Sequence, residues 1–367
     1  MRRLHGGNLR EAEERFGKND FIDLSANINP FGPPQGVWKR LRSALPEIIH
    51  YPDPENKRLT QKLSEQFELL PEQILVGNGA GELLFTLTLA LKPKKVLIPV
   101  PGFSEYERAA RAVGAEVRYM KLGVKGWDSL PQVKTSEDKN QYITLWQQLL
   151  NDCDLIYLNS PHNPTGSVLR VDELKIILEI ARKSNCWIVF DESFYDFLDN
   201  DLRWTARIFL EENPKLIVIY SMTKFFSLPG IRLGVLFSNS RVINGLKEFR
   251  DPWSVNVLAE EAGIEAVADS VFPMEVRNKL KDSKDFFYRE FERAKFKALT
   301  LHFTHVNFAL IEIKDRTSLE IVERLGKLGI LVRNCDSFQG IEGQYIRVAI
   351  KDKKSMKRLI EGLQAIY

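Results

Sequence analysis

The residues best suited to chemistry lie in Ser221-Met222-Thr223-Lys224 and, eight positions on, at Arg232. They follow an apolar run, 216–220, so a buried strand would deliver a primary amine, two hydroxyls and a guanidinium to one spot. An amine so placed can form a Schiff base with an aldehyde, while hydroxyls beside a guanidinium suit a dianionic phosphate. One small molecule that carries both groups is pyridoxal 5'-phosphate. By itself the segment reads equally as a solvated loop lysine with an arginine near glycines, so its partners must be found elsewhere in the chain.

Candidates follow other apolar runs. Asp191 closes 187–190; it is either a cap or salt-bridge partner, or the carboxylate that keeps a pyridine nitrogen protonated, so that the ring accepts electrons from a carbanion. Asn163 lies in Ser160-Pro161-His162-Asn163-Pro164-Thr165-Gly166, which is turn chemistry and also offers an amide to a ring phenolate oxygen. The glycine-rich stretch 77–82 contains Gly79 and Ala80, whose backbone N–H groups at a helix start suit phosphate. Phe103 either belongs to the core or stacks on the ring.

Positioning such residues takes a large fold, and 367 residues allow one, with two domains expected. Apolar content of 44% and charged content of 28% are ordinary for a globular protein. A net charge of +3 gives no case for a nucleic-acid partner, while a small acidic substrate needs only a local patch. Cys153, Cys186 and Cys335 form no CxxC or Cys/His cluster, which argues against a disulfide scaffold or a metal site and fits a reducing cytosol. With no signal-like start and no apolar run of transmembrane length, a cytoplasmic protein without a membrane partner is expected.

Apolar runs at 73–76, 96–99, 155–159, 187–190, 216–220 and 233–237 alternate with amphipathic stretches such as 172–181. That alternation predicts an α/β fold, a three-layer α/β/α domain with a mainly parallel sheet, and places ligands at the carboxyl ends of its strands. A charged helix at 276–295, strands at 308–313, 330–333 and 345–350 and a last helix predict a smaller α+β domain. The expected division is an arm at 1–45 packing with the small domain, a large domain at 46–265 and a small one at 266–367.

The order glycine turn, aromatic, Asn, Asp, Lys, Arg resembles the fold type I pyridoxal phosphate enzymes, the aspartate aminotransferase superfamily, over nearly the whole chain. The matching residues are Gly79, Ala80, Phe103, Asn163, Asp191, Ser221, Thr223, Lys224 and Arg232. The resemblance implies that Arg347 binds a carboxylate, and that Tyr51 reaches the cofactor phosphate of a neighbouring subunit in a homodimer. One position departs: where the family has a tyrosine that bonds the phenolate, this chain has Phe194, with Tyr195 beside it.

Two branches that accept small phosphorylated amino compounds are similar to this chain. His5-Gly6-Gly7-Asn8, residues 23–30 and 251–256, and the segment 333–347 resemble threonine-phosphate decarboxylases of cobalamin synthesis. Histidinol-phosphate aminotransferases are the alternative, and a regulatory ligand-binding module on the same fold is the reading from outside enzymology. The resemblance implies His5, Asn8, Ser25, Asn27, Asn163, Arg333 and Arg347 as substrate contacts, with the carboxylate and phosphate not divided between the two arginines.

Overall fold

The computed structural model describes residues 6–367. Its larger sheet contains β2 (Ile74–Gly77), β3 (Lys95–Val100), β4 (Glu116–Lys121), β5 (Leu155–Asn159), β6 (Trp187–Asp191), β7 (Leu216–Ser221) and β8 (Gly234–Phe237), in the order β2-β8-β7-β6-β5-β3-β4; β1 (Ile22–Asp23) lies elsewhere. Every neighbouring pair is parallel except those made by β8, which runs against both β7 and β2. Every residue of β5 and β7 is buried, as expected of strands covered by helices on both faces, and this is why they read as unbroken apolar runs. The missed strand is β4, an edge strand whose ends Glu116 and Lys121 are exposed.

Helix Val171–Lys183 carries Asp172 and Glu173 in its first turn, where carboxylates favour the helix dipole. The long charged helix runs Phe272–Ala294, starting four residues before the expected position because Pro273 suits a helical first turn. The smaller sheet is ordered β12-β13-β10-β9, with β9 (Leu299–Leu301), β10 (Phe308–Ile313), β12 (Arg333–Asn334) and β13 (Gln344–Ala349). The strand expected at 330–333 is instead two: β11 (Ile330–Leu331) pairs with β1, and beyond Val332 the chain passes to β12 beside β13. One apolar stretch therefore serves two sheets.

Leu24 shares a core with Phe287, Ile311, Ile346 and Leu359, and its carbonyl accepts from the Ala349 N–H at 2.8 Å. Helix Gln35–Ala44 packs instead on helix Val257–Ala268, where Arg40 and Arg58 both reach Glu261 at 2.5 Å. The N-terminal residues thus join both halves of the molecule. Cys153 and Cys186, 33 positions apart, lie at the amino ends of adjacent strands as free buried thiols. Among the described residues no helix is long and apolar enough to cross a membrane, and no three His, Cys, Asp or Glu side chains gather to hold a metal.

Candidate active site

The site occupies the carboxyl edge of the larger sheet. Asn159 and Asp191 end β5 and β6 as register partners, and Ser221 ends β7 opposite Gly234. Because β8 runs backwards, the connection 222–233 begins and finishes at this edge, which brings both Lys224 and Arg232 to it. Gly77 of β2 also pairs with Gly234, so the turn leading to Gly79 lies beside them. These elements and the smaller sheet enclose a cleft of about 400 Å³ that reaches Ala80, Phe103, Asn163, Asp191, Lys224 and Arg347.

Asp191 is buried at its floor. One carboxylate oxygen accepts from the Tyr106 hydroxyl at 2.6 Å and the other from the Ser193 N–H at 2.8 Å. Burial pushes its proton affinity above the ordinary carboxylate value, and these hydrogen bonds together with the Lys224 charge offset part of that rise. Asn159 ties the region together: its Nδ2 donates to the Asp191 carbonyl at 3.1 Å and its Oδ1 accepts from the Asn163 N–H at 2.8 Å.

Ser221 caps the short helix Met222–Phe225, and its hydroxyl lies 2.8 Å from that of Thr223. Arg232 closes this corner. Gly79 has φ +81°, and a Cβ there would lie 2.5 Å from Arg232 Nη2, so only glycine leaves the guanidinium and the adjoining helix start room to share an anion. Gly79→Ala is expected to weaken phosphate-dependent cofactor binding by about tenfold, from left-handed strain and a displaced guanidinium. Titration of the cofactor into cofactor-free protein measures this; unchanged affinity would show that the cradle is not used.

Lys224 reaches the cleft between these groups. Burial, then the charges of Arg347 and Arg232, lower its amine to about 8 against the opposing pull of Asp191. Its carbonyl is held by the Asn29 N–H at 3.0 Å.

Across the cleft, Arg333 and Arg347 are direct partners in the antiparallel β12–β13 pair. Arg347 donates to Asn163 Oδ1 at 2.5 Å and to the Ser25 carbonyl at 3.0 Å, so the Asn163 Nδ2 donors are those left for a ligand. Arg333 donates to Ser337 Oγ at 2.6 Å. Burial pushes Arg347 down to about 10, and Arg333 adds to that push. Like charges directly opposite each other destabilise a sheet, whereas an anion between them removes the penalty.

The expected residues fall into three groups. Ala80, Phe103, Asn163, Asp191, Ser221, Thr223, Lys224, Arg232, Arg333 and Arg347 line the cleft, as do Ser25 and Asn27. The Ser25 hydroxyl is already engaged, donating to Asp23 at 2.6 Å and accepting from the Gly7 N–H at 2.8 Å, while Asn27 Oδ1 is buried without a partner among the described residues. Asn8 caps helix Leu9–Phe16, bonds Glu11 through both side-chain atoms and faces an adjoining groove that shares Ser25 and Arg333 with the cleft. The Asn-x-x-Glu spacing, a capping signature, could have shown this. His5 lies outside the described residues. Tyr51 is 81% exposed against Trp253, their rings 4.9 Å apart, and lies away from this chain's cleft.

Tyr106, Asn159, Ser193, Ser337 and Phe338 line the cleft without having been assigned. Tyr106 was findable, because it stands one helical turn after Phe103 and shares its face. Phe194 takes the lining position of the missing tyrosine. Tyr195 points elsewhere, under Arg203 and Arg207 at 5.1 and 5.3 Å, and does not replace it.

The buried amine, the carboxylate partnered on both oxygens and the glycine–arginine anion corner fit an aldehyde-bearing aromatic phosphate, and this arrangement on this sheet defines the fold type I pyridoxal phosphate enzymes. The chain belongs to the aminotransferase class I and II family, whose model matches residues 19–363, and its cofactor is pyridoxal 5'-phosphate. It is 33% identical to the putative threonine-phosphate decarboxylase of Caldanaerobacter subterraneus subsp. tengcongensis over 99% of this chain and 94% of that protein. It is 32% identical to the threonine-phosphate decarboxylase of Salmonella typhimurium, covering 99% and 96%. The crystal structure of the histidinol-phosphate aminotransferase from Clostridium acetobutylicum superposes with a TM-score of 0.81 at 27% identity, covering 94% of this chain and 98% of that one.

Proposed function

We propose that this chain decarboxylates L-threonine O-3-phosphate to (R)-1-amino-2-propanol O-2-phosphate, a step of cobalamin biosynthesis, as a cytoplasmic homodimer. The observation that carries this reading is the buried cross-strand pair Arg333–Arg347 facing Lys224. The pair offers two cationic sites for a substrate bearing a carboxylate and a phosphate beside its amine. The 32–33% identity to decarboxylases supports the same choice.

Ser221, Thr223, Arg232 and the N–H groups after Gly79 would hold the cofactor phosphate, and Asp191 the ring nitrogen. Asn163 Nδ2 would take the phenolate oxygen, with Phe103 against the ring. Bound pyridoxal 5'-phosphate supplies an electron sink for the pair left on Cα when CO2 departs. Arg333 and Arg347, with Asn27 beside them, fix how the substrate is turned, and so which Cα bond breaks. Lys224 would hold the cofactor's aldehyde carbon and, as a free amine at the cleft floor, would carry a proton to Cα. Tyr51, exposed beside Trp253, would serve the cleft of a second copy.

A second reading, transfer of the amino group of histidinol phosphate to a keto acid, draws support from the 27% identity to an aminotransferase of known structure. Incubation with threonine phosphate alone should release CO2. Glutamate formed only from histidinol phosphate plus 2-oxoglutarate, without CO2 from the first mixture, would establish the second reading instead.

A further inference from the structure

From Asp191 a chain of buried side chains leads away from the cleft, beginning at Tyr106. Tyr106, on helix Ser104–Ala112, gives its hydroxyl to Asp191 at 2.6 Å and is 2% exposed. Its ring stacks on that of Tyr157 from β5, with centroids 4.9 Å apart and planes 10° from parallel. The Tyr157 hydroxyl lies 2.5 Å from Thr88 Oγ1, and Thr88 in turn donates to the Leu84 carbonyl at 2.6 Å within helix Gly79–Leu91. Four elements thus fix the direction of one phenol O–H.

We propose that Tyr106 is a positioning residue that sets the charge and rotamer of Asp191 for the cofactor's ring nitrogen. A phenol has one proton to give. Burial and the adjoining carboxylate push its release far upward, so Tyr106 stays a donor at every working pH. A donor fixed on one carboxylate oxygen stabilises the anion against the burial that favours the neutral acid. It also stops rotation of the carboxylate, since the Ser193 N–H holds the other oxygen. The titratable and charged groups facing Asp191 are Tyr106 from the helix and Lys224 from the segment after β7; Tyr157 acts only through Tyr106, and Arg347 and Arg232 act on Lys224. Without the phenol, Asp191 would be neutral up to a higher pH and could not hold a cationic ring.

The role is the same for decarboxylation and transamination, so its test is independent of the substrate. The probe is pyridoxine 5'-phosphate, which lacks the aldehyde and cannot link to Lys224, titrated into the cofactor-free full-length chain between pH 5.5 and 8.5. Relative to the parent, Tyr106→Phe should bind it roughly tenfold or more weakly near pH 6. The difference should shrink as pH rises and Asp191 ionises unaided, with the acid limb of binding moved up by about one pH unit. Phenylalanine keeps the stacked ring, and a thermal melt checks the fold. Thr88→Val, which frees the Tyr157 hydroxyl, should shift the limb in the same sense by less, and it provides the reading if Tyr106→Phe does not fold. Equal affinity at all pH values, or an equal loss at all of them, would overturn the proposal, because a merely structural tyrosine would leave the limb in place.

Discussion

Lys224→Ala is expected to lower turnover by roughly 10³-fold or more, because one side chain both anchors the cofactor and moves the proton at Cα. The fold should survive. The amine sits among Arg347 and Arg232, with Asp191 offsetting them in part, so its removal relieves cation repulsion and the melting temperature should hold or rise. A pH signature accompanies the loss in the parent protein. The nucleophile is the neutral amine, and its affinity for a proton is lowered from 10.5 to about 8, so capture of added pyridoxal phosphate should speed up as pH rises through about 8. Stopped-flow absorbance from pH 6.5 to 10.5 reads this directly. A midpoint near 10.5 would mean that the cleft does not desolvate the amine, and substantial turnover in the alanine variant would remove Lys224 from the chemistry.

Asp191→Asn is expected to cost about 10²- to 10⁴-fold in turnover while the cofactor remains bound. Asparagine keeps the shape and can still accept from the Tyr106 hydroxyl through Oδ1, but its Nδ2 replaces the oxygen that accepts from the Ser193 N–H, so the change removes the negative charge together with that one acceptor. Binding persists because the phosphate corner of Ser221, Thr223, Gly79 and Arg232 is built on other strands. Absorbance measures occupancy and product formation measures the rate; normal turnover would refute the electron-sink role. In this background Tyr106→Phe should have little further effect, because two residues acting through one carboxylate charge are not additive.

Much of this site was legible because chemistry-bearing residues in an α/β sheet follow buried strands. Lys224, Asp191 and Asn163 each come after an apolar run, and a parallel sheet gathers such ends. Tyr106 was not legible as a partner of Asp191, since the two are 85 positions apart and a helical aromatic looks the same whether it packs or donates. The pairing of Arg333 with Arg347 depended on where the apolar stretch at 330–333 divides, and a change of sheet partner leaves no mark in the residue pattern. Asn8 shows the opposite limit: its capping of the first helix acts over three residues and was legible from the Asn-x-x-Glu spacing alone.

The backward run of β8 also governs the interval between Lys224 and Arg232. The segment 222–233 is pinned at both ends by the Ser221–Gly234 rung, and Gly234 lies so close to the Gly79–Ala80 peptide that a Cβ would come within 2.4 Å of the Ala80 nitrogen. Adding or removing one residue in this ring would force β8 to slip a rung or the ring itself to buckle. A slip exchanges the faces of Val235 and Leu236, which belong to cores on opposite sides of the sheet. The spacing of amine and guanidinium is thus a property of strand pairing, and this stretch should tolerate substitutions far more readily than changes in length.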